Sequence, residues 1–264
     1  MANEKDIEEL TDKVLESKKY CSLYRPTVKR IVSELINSYP KNEAEKAIKR
    51  RLHQIWGAYF TKPNYSRLFK KIREGKEAGM DARTALLPVL RLQTSTNERI
   101  PILNRLYSQI FSITGIPKTI LEPACGLNAL TYFWMDSKIN YLGVDVDVEL
   151  INFINEVYEL FGITKARVKL GDILEDKFTD KAELVLLLKA LPLLEHQRKN
   201  CSSAILREIK CRFLIVSFPT RSISGKDKGM AEFYTNFFQN LVKEENWQTE
   251  KLFFDSELVF IVRK

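Results

Sequence analysis

Five short apolar segments, separated by stretches of helical length, constrain this chain more than anything else in it. Thr119–Leu121, Tyr141–Val144, Arg167–Leu170, Leu184–Leu188 and Phe213–Phe218 each have strand length, with apolar residues at strand spacing. Leu184–Leu188 is wholly apolar, as a strand buried on both faces should be. Strands alternating with helices predict an α/β fold with a mostly parallel, doubly wound sheet. Lys251–Phe254 and Leu258–Val262 predict an antiparallel pair at its edge, which makes seven strands. A helix is expected directly after Glu122-Pro123-Ala124-Cys125-Gly126-Leu127-Asn128.

In open sheets of this kind, ligands bind beyond the carboxyl ends of the strands. Gly126 lies in the turn after the first strand, where a missing side chain lets a ligand approach the backbone. Asp145 ends the second strand, nineteen residues on, and can accept both hydroxyls of a ribose. Asp172 follows the third strand and can accept from an adenine amino group. Together these describe a nucleoside site. The turn is not G-x-G-x-x-G, and no G-x-x-x-x-G-K-[ST] occurs, which disfavours NAD and ATP and leaves S-adenosylmethionine.

The first third reads as helices near Asp6–Ser17, Pro26–Ser38 and Asn42–Tyr59, followed by a basic helix with Arg67, Lys70, Lys71 and Arg73 and a turn at Gly79. In the third helix Ala44, Ile48, Leu52, Ile55 and Tyr59 share one face, and Lys46, Lys49, Arg50 and His53 fall largely on another. The net charge of +8 is segregated: residues 41–93 hold thirteen Lys/Arg against five Asp/Glu, and the segments on either side are neutral. Such a patch suits a polyanion, and equally a solvated lysine-rich surface. Two units are expected, a helical basic one over 1–93 and a sheet unit over 94–264. Ser95 and Glu98 have capping-box spacing at the start of the second. Neither the four cysteines nor His53 and His196 have metal-ligand spacing, so no metal site and a reducing cytoplasm are expected. The N-terminus does not read as a secretory signal. The most apolar stretch, Ala182–Leu194, contains Lys189 and Pro192 and is too short to span a bilayer, so no membrane partner is expected.

Four blocks carry a resemblance: Leu52-His53-Gln54-Ile55-Trp56-Gly57-Ala58-Tyr59, Ser95-Thr96-Asn97-Glu98-Arg99, Leu188-Lys189-Ala190-Leu191-Pro192-Leu193-Leu194-Glu195, and the run from Ser217 to Met230 that contains Arg221, Lys226 and Lys228. From about Val14 to Val262 the chain resembles the aminoglycoside-resistance 16S rRNA (guanine-N7)-methyltransferases of the Arm/Rmt group, which modify nucleotide 1405 at the decoding site. It departs from them at Glu122, where Asp is usual, at Ala129 in place of Pro, and at Phe260 in place of Tyr.

The resemblance implies a Rossmann-like class I S-adenosylmethionine methyltransferase, active as a monomer on 16S rRNA in the assembled 30S subunit. It implies that Gly126, Asp145 and Asp172 hold the cofactor while Arg99 reaches its carboxylate. Arg99 could instead be a surface ion pair with Asp145 or Glu122. Ser95 reads as an N-cap first and a site residue second, and Glu122 as a brace for the loop. Lys189 closes an apolar strand, facing a cleft or snorkelling to solvent. Phe218 and Pro219 could line the pocket of an extruded base or simply pack the strand end. Cys125 and Trp56 read as packed residues. Lys46, Lys49, Arg50, Arg51, Arg67 and Lys70, with Arg221, Lys226 and Lys228, are the RNA-binding candidates. Guanine N7 carries a lone pair and no proton, so no general base is expected.

Overall fold

The computed structural model describes residues 2–56, 63–177, 181–220 and 229–264. Seven strands form one sheet: β1 Thr119–Pro123, β2 Asn140–Asp145, β3 Ala166–Leu170, β4 Ala182–Leu188, β5 Cys211–Pro219, β6 Gln248–Phe254 and β7 Glu257–Arg263. Their order is β3-β2-β1-β4-β5-β7-β6. The first five run parallel and β7 is antiparallel to both β5 and β6, as the strand pattern predicts. Side chains alternate across the sheet. Leu184, Leu186 and Ile215 join one core with α7 (Leu103–Thr114) and α8 (Val148–Leu160). Val185, Leu187 and Val216 join the other with α9 (Leu191–Gln197), α10 (Cys201–Glu208) and α11 (Met230–Val242).

That second core corrects one expectation. Phe218 is completely buried, stacked on Tyr234 at 4.7 Å and set edge-on to Phe260 at 6.0 Å, with Phe238 stacked on Phe260 at 4.1 Å. An apolar ring at an inward position of β5 is more stable in this cluster than beside water, so Phe218 packs the strand end and, among the described residues, is not part of the cleft lining.

The helix expected after β1 is a 3₁₀ stretch, Gly126–Trp134, which begins within the turn. Asn128 N–H bonds back three residues to Cys125, and Thr131 Oγ donates to the Asn128 carbonyl at 2.6 Å, both of which favour the tighter turn.

The first helices are α1 Glu4–Leu15, α2 Arg25–Leu35 and α3 Lys41–Trp56. They share a separate apolar cluster in which Val14, Ile31, Ile48 and Leu52 are buried. Charge cancels between α1 and α2, where Arg25 pairs with Glu8 and Asp12, and Lys29 with Glu4 and Glu8. Two more helices, α4 Tyr65–Glu77 and α5 Ala82–Leu90, contribute Ile72, Leu86 and Leu90 to the sheet's own core. Gly79 turns between them at φ +84. The pattern missed α5 because Pro88 lies inside it; the helix ends two residues later, and Asp81 caps its start.

The short helix α6, Thr94–Arg99, precedes a 3₁₀ turn at Ile100–Ile102. Its N-cap is Gln93, with no side-chain cap bond, so Ser95 is not the cap. With the helix starting at Thr94, Ser95 and Glu98 fall inside it and cannot form a capping box, and the Glu98 carboxylate instead accepts from Lys189 Nζ at 2.6 Å.

Candidate cofactor cleft and cationic face

A cleft opens at the carboxyl ends of β1, β2 and β4, where the strand order reverses. Ser95, Arg99, Gly126, Asp145, Asp172 and Lys189 all line it. Gly126 sits at φ +52, and a Cβ there would meet the Gln93 amide at 3.0 Å. Its N–H donates to Asp145 Oδ2 at 2.8 Å, while Asp145 Oδ1 accepts from Val146 at 2.8 Å and Asp147 at 3.2 Å. Burial pushes the Asp145 carboxyl up to about 6, although these N–H donors pull the other way. Ala124 and Lys189, at the ends of adjacent β1 and β4, both take a φ of +56. Left-handed backbone at two non-glycine residues costs of order 1 kcal/mol each and is typical of functional sites.

Arg99 is almost wholly buried, and its partner is neither of the two acids anticipated. Its Nε and Nη2 form a fork on Glu257, each at 2.9 Å, and Nη1 donates to Asn128 at 2.6 Å. Glu257, fully buried, also accepts from Ser217 and lies 4.0 Å from Lys189. Lys189 is therefore paired rather than snorkelling: its ammonium is held by Glu98, and only 8% of its side chain is exposed. Behind this set Glu122 accepts from Asn128 Nδ2 and the Tyr141 hydroxyl, each at 2.7 Å. It braces the loop through side chains, not through backbone N–H groups, and does not line the cleft. Burial pushes its carboxyl up to about 7. Cys125 is buried, which raises its thiol well above the usual range and suits a packed residue.

Asp172 is buried and held from a distance. Its Oδ2 accepts from the Thr27 hydroxyl at 2.6 Å and from Arg30 Nη2 at 3.4 Å, and its Oδ1 from Leu174 N–H at 2.8 Å. Pattern reading missed Thr27, Gln93, Asn128 and Glu257. Only Asn128 carried a local signal, being part of the turn after β1.

On the cationic face, Lys46 and Arg50 are exposed and line a shallow groove with Tyr39. Arg67 and Lys70 are exposed on α4. Lys49 is half-buried and paired with Glu45 at 2.7 Å. Arg51 donates to the carbonyls of His196 and Gln197, at 2.7 and 3.3 Å, so it docks α3 on α9 and is not a free RNA contact. Pro219 ends β5 half-exposed, outside the cleft lining. Arg221, Lys226, Lys228 and Tyr59 lie outside the described residues, as does the Trp56 side chain. No helix among the described residues is long and apolar enough to cross a membrane.

A family profile described as ribosomal RNA methyltransferase (FmrO) matches residues 16–261. A 16S rRNA (guanine(1405)-N(7))-methyltransferase of Proteus mirabilis is 37% identical, covering 99% of each chain. An enzyme of the same name from Micromonospora echinospora is 31% identical over all of this chain and 98% of its own. Among solved structures, 16S rRNA methyltransferase RmtF in complex with S-adenosyl-L-homocysteine aligns with a TM-score of 0.86, 27% identity and full coverage of both chains. The 16S rRNA methylase RmtB aligns at 0.80 and 29%, over 98% of each.

Glu122 generates a pH prediction. Its folded-state carboxyl titrates near 7 against an ordinary 4.5, so the folded protein keeps a proton that the unfolded chain loses between those values. Ionisation therefore opposes folding: the penalty is absent below about pH 4.5 and complete above about pH 7, reaching roughly 3 kcal/mol. Glu122→Gln removes the titration, so the stability of the variant relative to the parent should rise from pH 5 to pH 8. Urea unfolding across that range checks this, and a difference that stays constant with pH would refute it.

Proposed function

The chain belongs to the FmrO family of ribosomal RNA methyltransferases, and from that premise we propose how its cleft and cationic face divide the work. It is a 16S rRNA (guanine(1405)-N(7))-methyltransferase that uses S-adenosylmethionine. The observation that carries this reading is full-length likeness to enzymes of that name, in a chain whose sheet gathers a glycine turn and two acids at one switch point.

The residues present fit the cofactor. Gly126 gives it close access to the backbone. Asp145 keeps one acceptor position on Oδ2, enough for one ribose hydroxyl rather than the two anticipated, because three N–H groups occupy the rest. Asp172 keeps one on Oδ1 for the adenine amino group. Arg99 spends three of its five N–H donors inside the protein, which leaves one on each terminal nitrogen for a carboxylate. Bound there, S-adenosylmethionine supplies an electrophilic methyl group on a cationic sulfur. Guanine N7 needs no deprotonation, so the protein's task is to orient the base and exclude water. Lys189 stands at the cleft to orient it, and Pro219 ends the neighbouring strand, where it would wall the approach.

Residues 1–93 supply docking, with Lys46 and Arg50 on α3 and Arg67 and Lys70 on α4 facing phosphates. Residues 94–264 supply most of the methyl-transfer site, with Leu23, Tyr65 and Gln93 of the first segment in its wall. A docking surface separate from the cleft suits a folded target, the assembled 30S subunit in the cytoplasm. A methylated N7 makes the guanine cationic, and repulsion of a polycationic aminoglycoside at that contact confers resistance.

Borohydride–aniline cleavage of 30S rRNA, read by reverse transcription after incubation with protein and cofactor, should report one new site at guanine 1405. Modification elsewhere, or none, would overturn the reading. Asp145→Ala should weaken cofactor binding by roughly 1.5–3 kcal/mol in calorimetry. Binding by the parent should also fall as pH drops through about 6, where the acceptor becomes protonated. Unchanged affinity in a folded variant would make Asp145 purely structural. Reversing Lys46 and Arg50 to Glu should weaken 30S binding and flatten its log–log salt dependence by about two, with cofactor affinity intact. Normal methylation by that variant would reduce α3 to a solvated face.

A further inference from the structure

Helix α2 reaches across the chain to the wall of the cleft. Thr27 is completely buried, and its hydroxyl meets Asp172 Oδ2 at 2.6 Å, a contact between residues 145 positions apart. Arg30, one turn along, is buried beside it. Its Nη2 lies 3.4 Å from the same oxygen and 3.1 Å from Gln197 Oε1, and its Nε is 2.8 Å from a Glu175 oxygen. The two contacts differ in kind. At 3.4 Å the guanidinium contributes charge with little direction, whereas a 2.6 Å hydroxyl–carboxylate bond fixes where the oxygen points.

The acceptor count gives this contact a purpose. A carboxylate offers about four acceptor positions. Thr27 and Arg30 take those on Oδ2, and Leu174 N–H takes one on Oδ1. The position left over is on Oδ1, and Asp172 is part of the cleft wall. Without the hydroxyl, the Asp172 carboxylate could pivot part-way about its last side-chain bond, which would swing its plane, and with it the direction of the free acceptor, off the ligand.

We propose that Thr27 is a positioning residue for the adenine subsite, holding Asp172 so that its Oδ1 is presented to the exocyclic amino group. Helix α2, part of the N-terminal helical cluster, thereby completes the cofactor site. This rests on the reading that Asp172 accepts from the adenine amino group, and the test separates the two.

Calorimetry compares S-adenosylhomocysteine with its 6-deamino analogue, which has hydrogen in place of the amino group, on the parent, Thr27→Val and Thr27→Ser. The parent should prefer S-adenosylhomocysteine by about tenfold, the scale of a hydrogen bond to a charged acceptor. Thr27→Val should lose most of that preference by weakening only the amino-bearing ligand, and Thr27→Ser, which keeps the hydroxyl, should restore it. Thr27→Ala removes the same hydroxyl with less side chain to accommodate and serves as the second variant if valine prevents folding. Equal binding of both ligands by the parent removes the role given to Asp172, and the proposal with it. A parent that discriminates while Thr27→Val and Thr27→Ala discriminate equally well overturns the positioning role alone. Equal weakening of both ligands in the valine or alanine variant also overturns it, by showing a general loosening of the wall.

Discussion

One buried ion pair sets the layout of the cleft. Arg99 and Glu257 meet at 2.9 Å on both arms of a fork, with almost no contact with water. Desolvating two such charges costs several kcal/mol each, and their attraction offsets this only when the geometry is good and the remaining donors and acceptors are satisfied. Here Asn128 and Ser217 add hydrogen bonds and Lys189 adds charge at 4.0 Å, while one N–H on each terminal nitrogen of Arg99 is left for a ligand. The pair ties α6 to the start of β7, and through Asn128 and Glu122 to the turn after β1 and to Tyr141 on β2. Three strand ends and the helix before the sheet are thereby held in one register. Two of the left-handed non-glycine residues, Ala124 and Lys189, sit where this network can carry their strain.

What was legible in the sequence was local. The apolar pattern recovers all seven strands to within a few residues, most directly in β4 and β5, which are buried through most of their length, whereas β3 and β6 are partly exposed. The strand-end acids were visible by position, Asp145 after the largely apolar end of β2 and Asp172 after Gly171 at the end of β3. What was not legible depends on partners far away in the chain. Glu257 looks like any acid in a turn until it meets Arg99, 158 residues earlier. Ser95 and Glu98 have the right spacing for a cap, yet Lys189 claims Glu98 from 91 residues away. Phe218 reads equally as a pocket wall or as core until Tyr234, Phe238 and Phe260 are brought around it. Arg51 belongs to the cationic stripe by sequence and to the α3–α9 contact in space.

The chemistry makes modest demands on such a scaffold. A nucleophile without a proton needs no base, and the charged groups of the cleft are accordingly committed to holding one another. Binding and orientation become the main contributions, and both depend on groups fixed before the ligand arrives. The N-terminal helices join in through Thr27 and Arg30, buried on α2 against the cleft wall, while Lys46 and Arg50 on α3 and Arg67 on α4 are exposed. Helices α1–α3 share one apolar cluster.

The most direct test is a double-mutant cycle on the buried pair, with stability and S-adenosylhomocysteine affinity measured for Arg99→Met, Glu257→Met and the double variant. Each single change should cost about 3–5 kcal/mol of stability, because it strands a buried charge. The double change should regain much of that stability but none of the cofactor affinity, since the fork that aims Arg99 and aligns the strand ends is gone. Single variants as stable as the parent, or a double variant that binds cofactor normally, would contradict the place given to this pair.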